Sequence, residues 1–144
     1  MRGGILIDAG PLVAYLSVRE RYHEWAVDTF AALDPPAITC EAVLSEACFL
    51  LLRNGLPASL VLDYALESEV RIDLRLEREM EAIRGLMQRY ANVPMSLADA
   101  CLVRMAETTG LPICTLDHDF AIYRAGRRRA LTLITPEPRA LHEP

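Results

Sequence analysis

The stretch Ile5-Leu6-Ile7-Asp8-Ala9-Gly10-Pro11 constrains the chain more than any other. Three branched apolar residues in succession predict a short strand buried on both faces, the pattern of a parallel sheet covered by helices. The run stops at a carboxylate, and Gly10-Pro11 supplies a turn and a favoured first helical residue, so that Pro11 to Ser17 reads as a short helix. A charge therefore sits where a buried strand hands over to a helix. In open α/β sheets ligands bind there, at the carboxyl ends of strands. An aspartate at that point also serves as a turn or helix-capping residue, and the stretch alone leaves both roles open.

The remaining periodicity repeats the strand–helix alternation. A helix is predicted over Arg21 to Leu33, stopped by Asp34-Pro35-Pro36, with a brief second strand at Ala37-Ile38-Thr39. Thr39 is the candidate cap of a helix that reaches Arg53 and ends at Asn54-Gly55. Pro57 opens a further helix to about Glu67, and Val70 to Leu74 alternates like a half-buried strand. Glu77 to Tyr90 is amphipathic, with Met80, Ile83, Leu86 and Met87 turned inward. Ser96 and Asp99 have the spacing of a capping box for a helix ending near Gly110. Pro112 to Leu116 forms the next strand, a short helical turn through Phe120 leads into Arg124 to Arg129, and Leu131 to Ile134 makes a last strand. Pro136 and Pro138 open a loose tail. The predicted class is α/β, a mostly parallel central sheet covered on both faces, in a single domain over residues 1–144 with its ordered core at about 5–136.

Four acids stand where structure alone does not require them. Glu46 has Ala42, Val43, Phe49 and Leu50 as helical neighbours, so its carboxylate projects from an apolar face; it is either half of a buried ion pair or part of a site. Asp99 fits the capping box, yet Leu102, Val103 and Ala106 put it on the inward side as well. Asp117 repeats the logic of Asp8 at the end of an apolar strand, and Asp119 follows two residues later as a helper or a cap. If the strands bearing Asp8 and Asp117 are neighbours, both carboxylates end on one sheet edge, and helices starting there bring Glu46 and Asp99 towards them. Unit charges about 4 Å apart repel by ~4 kcal/mol at an effective dielectric near 20. Such a cluster calls for cations or protons. An all-oxygen site suits magnesium or manganese, and the chemistry it implies is metal-assisted hydrolysis of a phosphodiester.

Composition removes several rivals. All fifteen basic residues are arginine, so chemistries that need a lysine amine are excluded, the P-loop and the Schiff base among them. A phospho-accepting receiver domain and a haloacid-dehalogenase-like phosphatase rank low on the same ground, and the phosphatase also wants an acid at position 10. A flavodoxin-like carrier lacks a glycine-rich phosphate loop. Cysteines at 40, 48, 101 and 114 form no CxxC pair, and His23, His118 and His142 have no metal-binding spacing, so buried free thiols are expected rather than zinc or redox centres. The longest apolar run, Ala47 to Leu52, falls far short of the roughly 18 residues of a membrane span. The N-terminal residues lack a basic segment leading into a long apolar region, which predicts a cytoplasmic chain with no membrane association. A net charge of −5 argues against a protein that coats nucleic acid, without excluding a local basic surface.

Taken in order, Ile7-Asp8-Ala9-Gly10-Pro11, Ser45-Glu46, Ser96-Leu97-Ala98-Asp99-Ala100 and Thr115-Leu116-Asp117-His118-Asp119-Phe120 resemble the PIN-domain nucleases, and among them the VapC-type toxins of toxin–antitoxin modules. The resemblance runs from about Ile5 to Pro136. It implies a three-layer α/β/α PIN-like domain and a magnesium- or manganese-dependent endoribonuclease. The family's acidic cluster then falls on Asp8, Glu46, Asp99 and Asp117, with Asp119 as a further metal ligand and Thr115 as a supporting hydroxyl. It also implies an RNA substrate, a cognate antitoxin that blocks the site, and a homodimer. Many members carry a hydroxyl or amide residue two positions after the first aspartate, where this chain has Gly10. Arg124, Arg127, Arg128 and Arg129 form the one dense basic stretch, able to neutralise RNA phosphates or simply to face solvent, and Tyr123 beside them can stack on a base or pack. The alternative function is a non-catalytic PIN-fold interaction module, with a magnesium-dependent phosphatase or receiver-like α/β domain ranked below it.

Overall fold

The computed structural model describes residues 3–34 and 36–136. Its centre is a five-stranded sheet of β1 (Ile5–Ile7), β2 (Ala37–Thr39), β3 (Arg71–Ile72), β4 (Ile113–Cys114) and, after the two short strands of a separate hairpin, β7 (Leu133–Ile134). The order across the sheet is β3-β2-β1-β4-β7 and every pairing is parallel. β1 therefore lies in the middle, with Leu6 fully buried and Ile7 nearly so, as a strand covered on both faces must be. Leu6 and Ile7 register with Ile113 and Cys114 of β4, so the strands preceding Asp8 and Asp117 are the expected neighbours.

Six helices surround the sheet: α1 (Ala9–Leu16), α2 (His23–Ala32), α3 (Glu41–Arg53), α4 (Leu60–Glu67), α5 (Leu76–Arg89) and α6 (Leu97–Thr109). α1 packs on α2, α3 and α4, α5 packs on α6, and α3 touches both groups through α1 and α6. Eight residues of α6, including Asp99, are buried, more than in any other helix among the described residues, and its C-cap Gly110 takes the left-handed conformation. β5 (Arg124–Ala125) and β6 (Arg129–Ala130) pair antiparallel outside the main sheet.

Several elements depart from the sequence reading. α1 begins at Ala9, with Asp8 as its N-cap, because the carboxylate accepts the first free backbone N–H; Pro11 becomes the third helical residue, where its missing donor is still harmless. Thr39 does not cap α3. It stays in β2 and donates its hydroxyl to the Ile7 carbonyl at 2.8 Å, while Cys40 takes the cap position. α4 starts at Leu60, after a turn at Ala58 and Ser59 that follows Pro57. β3 shrinks to Arg71–Ile72, both exposed on the sheet edge, and β4 and β7 to two residues each. Met80 is 55% exposed on the outer face of α5, whereas Ile83 and Leu86 are buried. The expected stop at Pro35 and the tail beyond residue 136 lie outside the described residues. No helix among the described residues is long and apolar enough to cross a membrane.

Candidate active site

Strand order reverses on either side of β1, and a ligand crevice forms at such a switch point. There, a cavity of about 230 Å³ is lined by Asp8, Ala9, Gly10, Glu46, Leu50, Asp99, Leu116 and Asp117. The four carboxylates singled out in the sequence thus come together from four separate segments: the end of β1, the middle of α3, the first turn of α6 and the loop after β4. A second cavity of about 300 Å³ is lined mainly by apolar side chains, Tyr15, Phe30 and Tyr64 among them, and contains none of these four acids.

Asp8 is the innermost acid, 5% exposed. Its Oδ1 accepts from the Ala9 backbone N–H at 2.8 Å and its Oδ2 from the Thr115 hydroxyl at 2.7 Å. Thr115 in turn accepts from the Asp117 backbone N–H at 2.9 Å, so its one proton must point at Asp8. Burial is the main cause that pushes the Asp8 carboxyl up to about 7; the two hydrogen bonds pull it back, and the charges of Asp99 and Glu46 raise it again.

Asp99 closes the capping box that the sequence predicts. The Ser96 hydroxyl accepts from the Asp99 N–H at 3.1 Å, and Asp99 Oδ2 accepts from the Ser96 N–H at 3.5 Å. The same Oδ2 accepts from the Tyr123 hydroxyl at 3.1 Å, which leaves Oδ1 to the cavity. Desolvation raises the Asp99 carboxyl above its ordinary value, followed by the charge of Asp117. Glu46 is half-buried and is raised by desolvation, then by Asp99 and Asp117. Among the described residues no cation pairs with any of the four, so the buried ion-pair reading of Glu46 finds no partner. Of its expected apolar neighbours, Val43 is fully buried but Phe49 is 60% exposed.

Asp117 is exposed and its Oδ1 accepts from the Asp119 N–H at 2.9 Å, capping the 3-10 turn His118–Ala121. Asp119 does not line the cavity. Tyr123, the candidate base stacker, is fully buried; its ring meets those of Tyr90 and Phe120 and its hydroxyl serves Asp99. That positioning role was invisible in the sequence, since nothing local links residues 99 and 123.

The arginine stretch does not reach the acids. Arg124 Nη1 donates to the carbonyls of Ala121, Ile122 and Tyr123 at 2.7, 3.1 and 2.9 Å, tying off the 3-10 turn. Arg127 to Arg129 belong to a hairpin whose Gly126 N–H donates to Glu107 at 2.8 Å. Glu107 lies eight residues beyond Asp99 on α6, about 12 Å along the helix axis. Both Gly126 and Arg127 have positive φ, 57° and 79°, as the tight hairpin turn requires.

Gly10 faces Leu116 across the cavity's edge. A Cβ placed on it would lie 3.3 Å from the Leu116 Cβ, closer than ordinary packing. The residue that departs from the resemblance is thus the one that lets α1 approach the loop carrying Asp117.

The donor set is all oxygen, and three of its four carboxyls are raised by burial and mutual repulsion, the electrostatic state a divalent cation relieves. Among the described residues no three histidine, cysteine or acidic side chains stand ready to enclose an ion by themselves.

Comparison with known proteins agrees with the fold. The model of the PIN domain family matches residues 5–126. No curated protein matches the chain. Among solved structures, that of VapC20 from Mycobacterium tuberculosis, described as a sarcin-ricin loop cleaving toxin, superposes with a TM-score of 0.74. The two are 23% identical over 82% of this chain and 93% of that one, a likeness of fold.

Proposed function

The chain belongs to the PIN domain family, and from that premise we propose that it is a metal-dependent endoribonuclease, the toxin of a toxin–antitoxin pair. The observation that carries the reading is the meeting of Asp8, Glu46, Asp99 and Asp117 around one cavity with no protein cation to neutralise them. An interaction module has no use for that arrangement, which costs stability whenever the acids ionise. RNA as the substrate class rests on the family and, by analogy of fold alone, on the toxin from M. tuberculosis.

Asp8, Glu46, Asp99 and Asp117 would hold a magnesium or manganese ion, with Asp119 close enough in sequence to assist through Asp117. When bound, such an ion lowers the pKa of a water and offsets charge on the phosphate. The chain's own part is positional. Ala9 and Thr115 hold both oxygens of Asp8 in a fixed orientation. Tyr123 and Ser96 do the same for one oxygen of Asp99. With its carboxyl pushed up to about 7, Asp8 is about half protonated at neutral pH without a cation, and a bound cation would favour the ionised form. Leu50 and Leu116 give the cavity apolar walls that limit water. Arg127, Arg128 and Arg129 offer phosphate contacts remote from the cut, while Arg124 contributes charge with part of its guanidinium already committed. A cognate antitoxin, a homodimer and a cytoplasmic setting complete the proposal.

The test is cleavage of a mixed set of structured and single-stranded RNAs with magnesium, with manganese and with a chelator, alongside Asp8→Asn. Cleavage that requires a metal and is absent in the variant supports the reading. Calorimetry that detects neither metal binding nor cleavage points to the interaction module instead.

A further inference from the structure

The acidic cavity does not end at its acids. Gly10, Leu50 and Leu116 also line a second cavity of about 360 Å³, whose other walls are Val13, Glu20, Arg53 and Asn54. The two are therefore one groove, and its second part falls within the volume range of clefts that hold small ligands. Helix α3 forms its floor. Glu46, Leu50 and Arg53 recur at helical spacing on one face, with about 10 Å along the helix axis between the backbones of Glu46 and Arg53.

Arg53 is exposed, and among the described residues no carboxylate lies within ion-pair distance of it. Its guanidinium sits 5.8 Å over the ring of Phe49, itself 60% exposed, an arrangement that steadies a side chain otherwise free to wander. The acid in this part of the groove, Glu20, accepts from Asn54 Nδ2 at 2.6 Å and is held against that amide. A groove acidic at one end thus offers an unneutralised cation at the other. We propose that this extension seats the RNA nucleotide flanking the cut, with Arg53 binding its backbone phosphate and Phe49 holding the guanidinium in place. The inference rests on the RNA-cleaving reading above. It explains a disposition that helix chemistry leaves over: a basic residue in the last turn complements the helix dipole wherever it points, without needing to line a groove.

The probe is a fluorescein-labelled single-stranded RNA octamer of mixed sequence, its binding followed by anisotropy across a salt series in Asp8→Asn protein. Adding Arg53→Ala is expected to weaken binding about tenfold and to lower the slope of log affinity against log salt by about 0.7, one phosphate contact on a single strand. Arg53→Lys is expected to keep the slope and lose part of the affinity. Phe49→Ala is expected to weaken binding severalfold with the slope kept. Arg78→Ala, on the exposed face of α5, serves as the charge control and is expected to leave both unchanged. In otherwise wild-type protein, Arg53→Ala raises KM for a long RNA and spares kcat. Affinity and slope unaltered by Arg53→Ala overturn the proposal, and metal-dependent cleavage by the wild type then leaves the nuclease reading standing. A wild type that neither binds nor cleaves RNA overturns both.

Discussion

Thr115 donates its hydroxyl to Asp8 at 2.7 Å across 107 residues of chain, and is free to do so in one direction only, because the Asp117 N–H already occupies its acceptor side. One small side chain therefore sets the orientation of the deepest carboxylate and the backbone of the loop that carries another. Thr115→Val keeps the shape and deletes both bonds. It is expected to destabilise the protein by about 1–3 kcal/mol in urea titration, the cost of stranding a buried acceptor and a donor. Thr115→Ser is expected to recover most of that, and a metal titration should show weaker binding in the valine variant alone.

The raised Asp8 carboxyl makes the metal-free protein pH-sensitive. Its folded pKa of about 7 lies above the ordinary value of 3.8, so the folded state binds more protons between the two. The stability contribution is full below pH 3.8 and is lost as pH rises to about 7, on the order of 4 kcal/mol at 1.36 kcal/mol per unit. In a chelator, thermal unfolding should show the midpoint falling over that window. Asp8→Asn should flatten the fall, and magnesium should restore the wild type, but not the variant, at pH 7 and above. A wild type whose midpoint rises across the window would contradict the assignment.

Tyr123→Phe removes a single hydroxyl and leaves the ring contacts with Tyr90 and Phe120. The Tyr123 bond lowers the Asp99 carboxyl, so the variant raises it further. The expected result is a loss of about tenfold in metal affinity, as for other residues that orient a ligand, with only about 1 kcal/mol of stability. Calorimetric titration checks the first and urea unfolding the second. Activity should recover partly at higher pH.

Gly10→Ser restores the hydroxyl that the resemblance leads one to expect, at a position where a Cβ meets Leu116 at 3.3 Å. Leu116 is flanked by Thr115 and Asp117, both held by hydrogen bonds, so it yields little. The substitution is expected to cost about 1 kcal/mol or more by overpacking and to lower cleavage through a displaced Asp117. Combining it with Leu116→Ala should recover the stability, as a double-mutant cycle would reveal.

The alternation of strands and helices, the central β1 and the capping box were legible because each depends on residues near one another in the chain. Asp8, Glu46, Asp99 and Asp117 stood out for a similar reason: an acid at the end of an apolar strand or on an apolar helix face needs an explanation beyond solvation. Contacts that join distant segments were not legible. Thr39 looked like a cap because threonine before a helix usually is one, but the Ile7 carbonyl on the neighbouring strand took its proton. Tyr123 looked like a surface aromatic among arginines, yet the turn capped by Asp117 swings it into the core beneath Asp99. The arginines misled by proximity: nine residues past Asp117 in sequence, the hairpin at Gly126 has already moved to the far end of α6.

The parallel pairing of β1 with β4 means that the first and last acids of the cavity meet only after residues 8–117 have all been made. During synthesis Asp8, Glu46 and Asp99 emerge while the place beside β1 is still vacant, and Thr115 has not arrived to orient Asp8. No nascent fragment ending before Asp117 holds the complete set of carboxylates, and the pairing that completes it is among the longest-range in the fold. The order of synthesis thereby keeps the acidic set incomplete until β4 and the loop after it have been made.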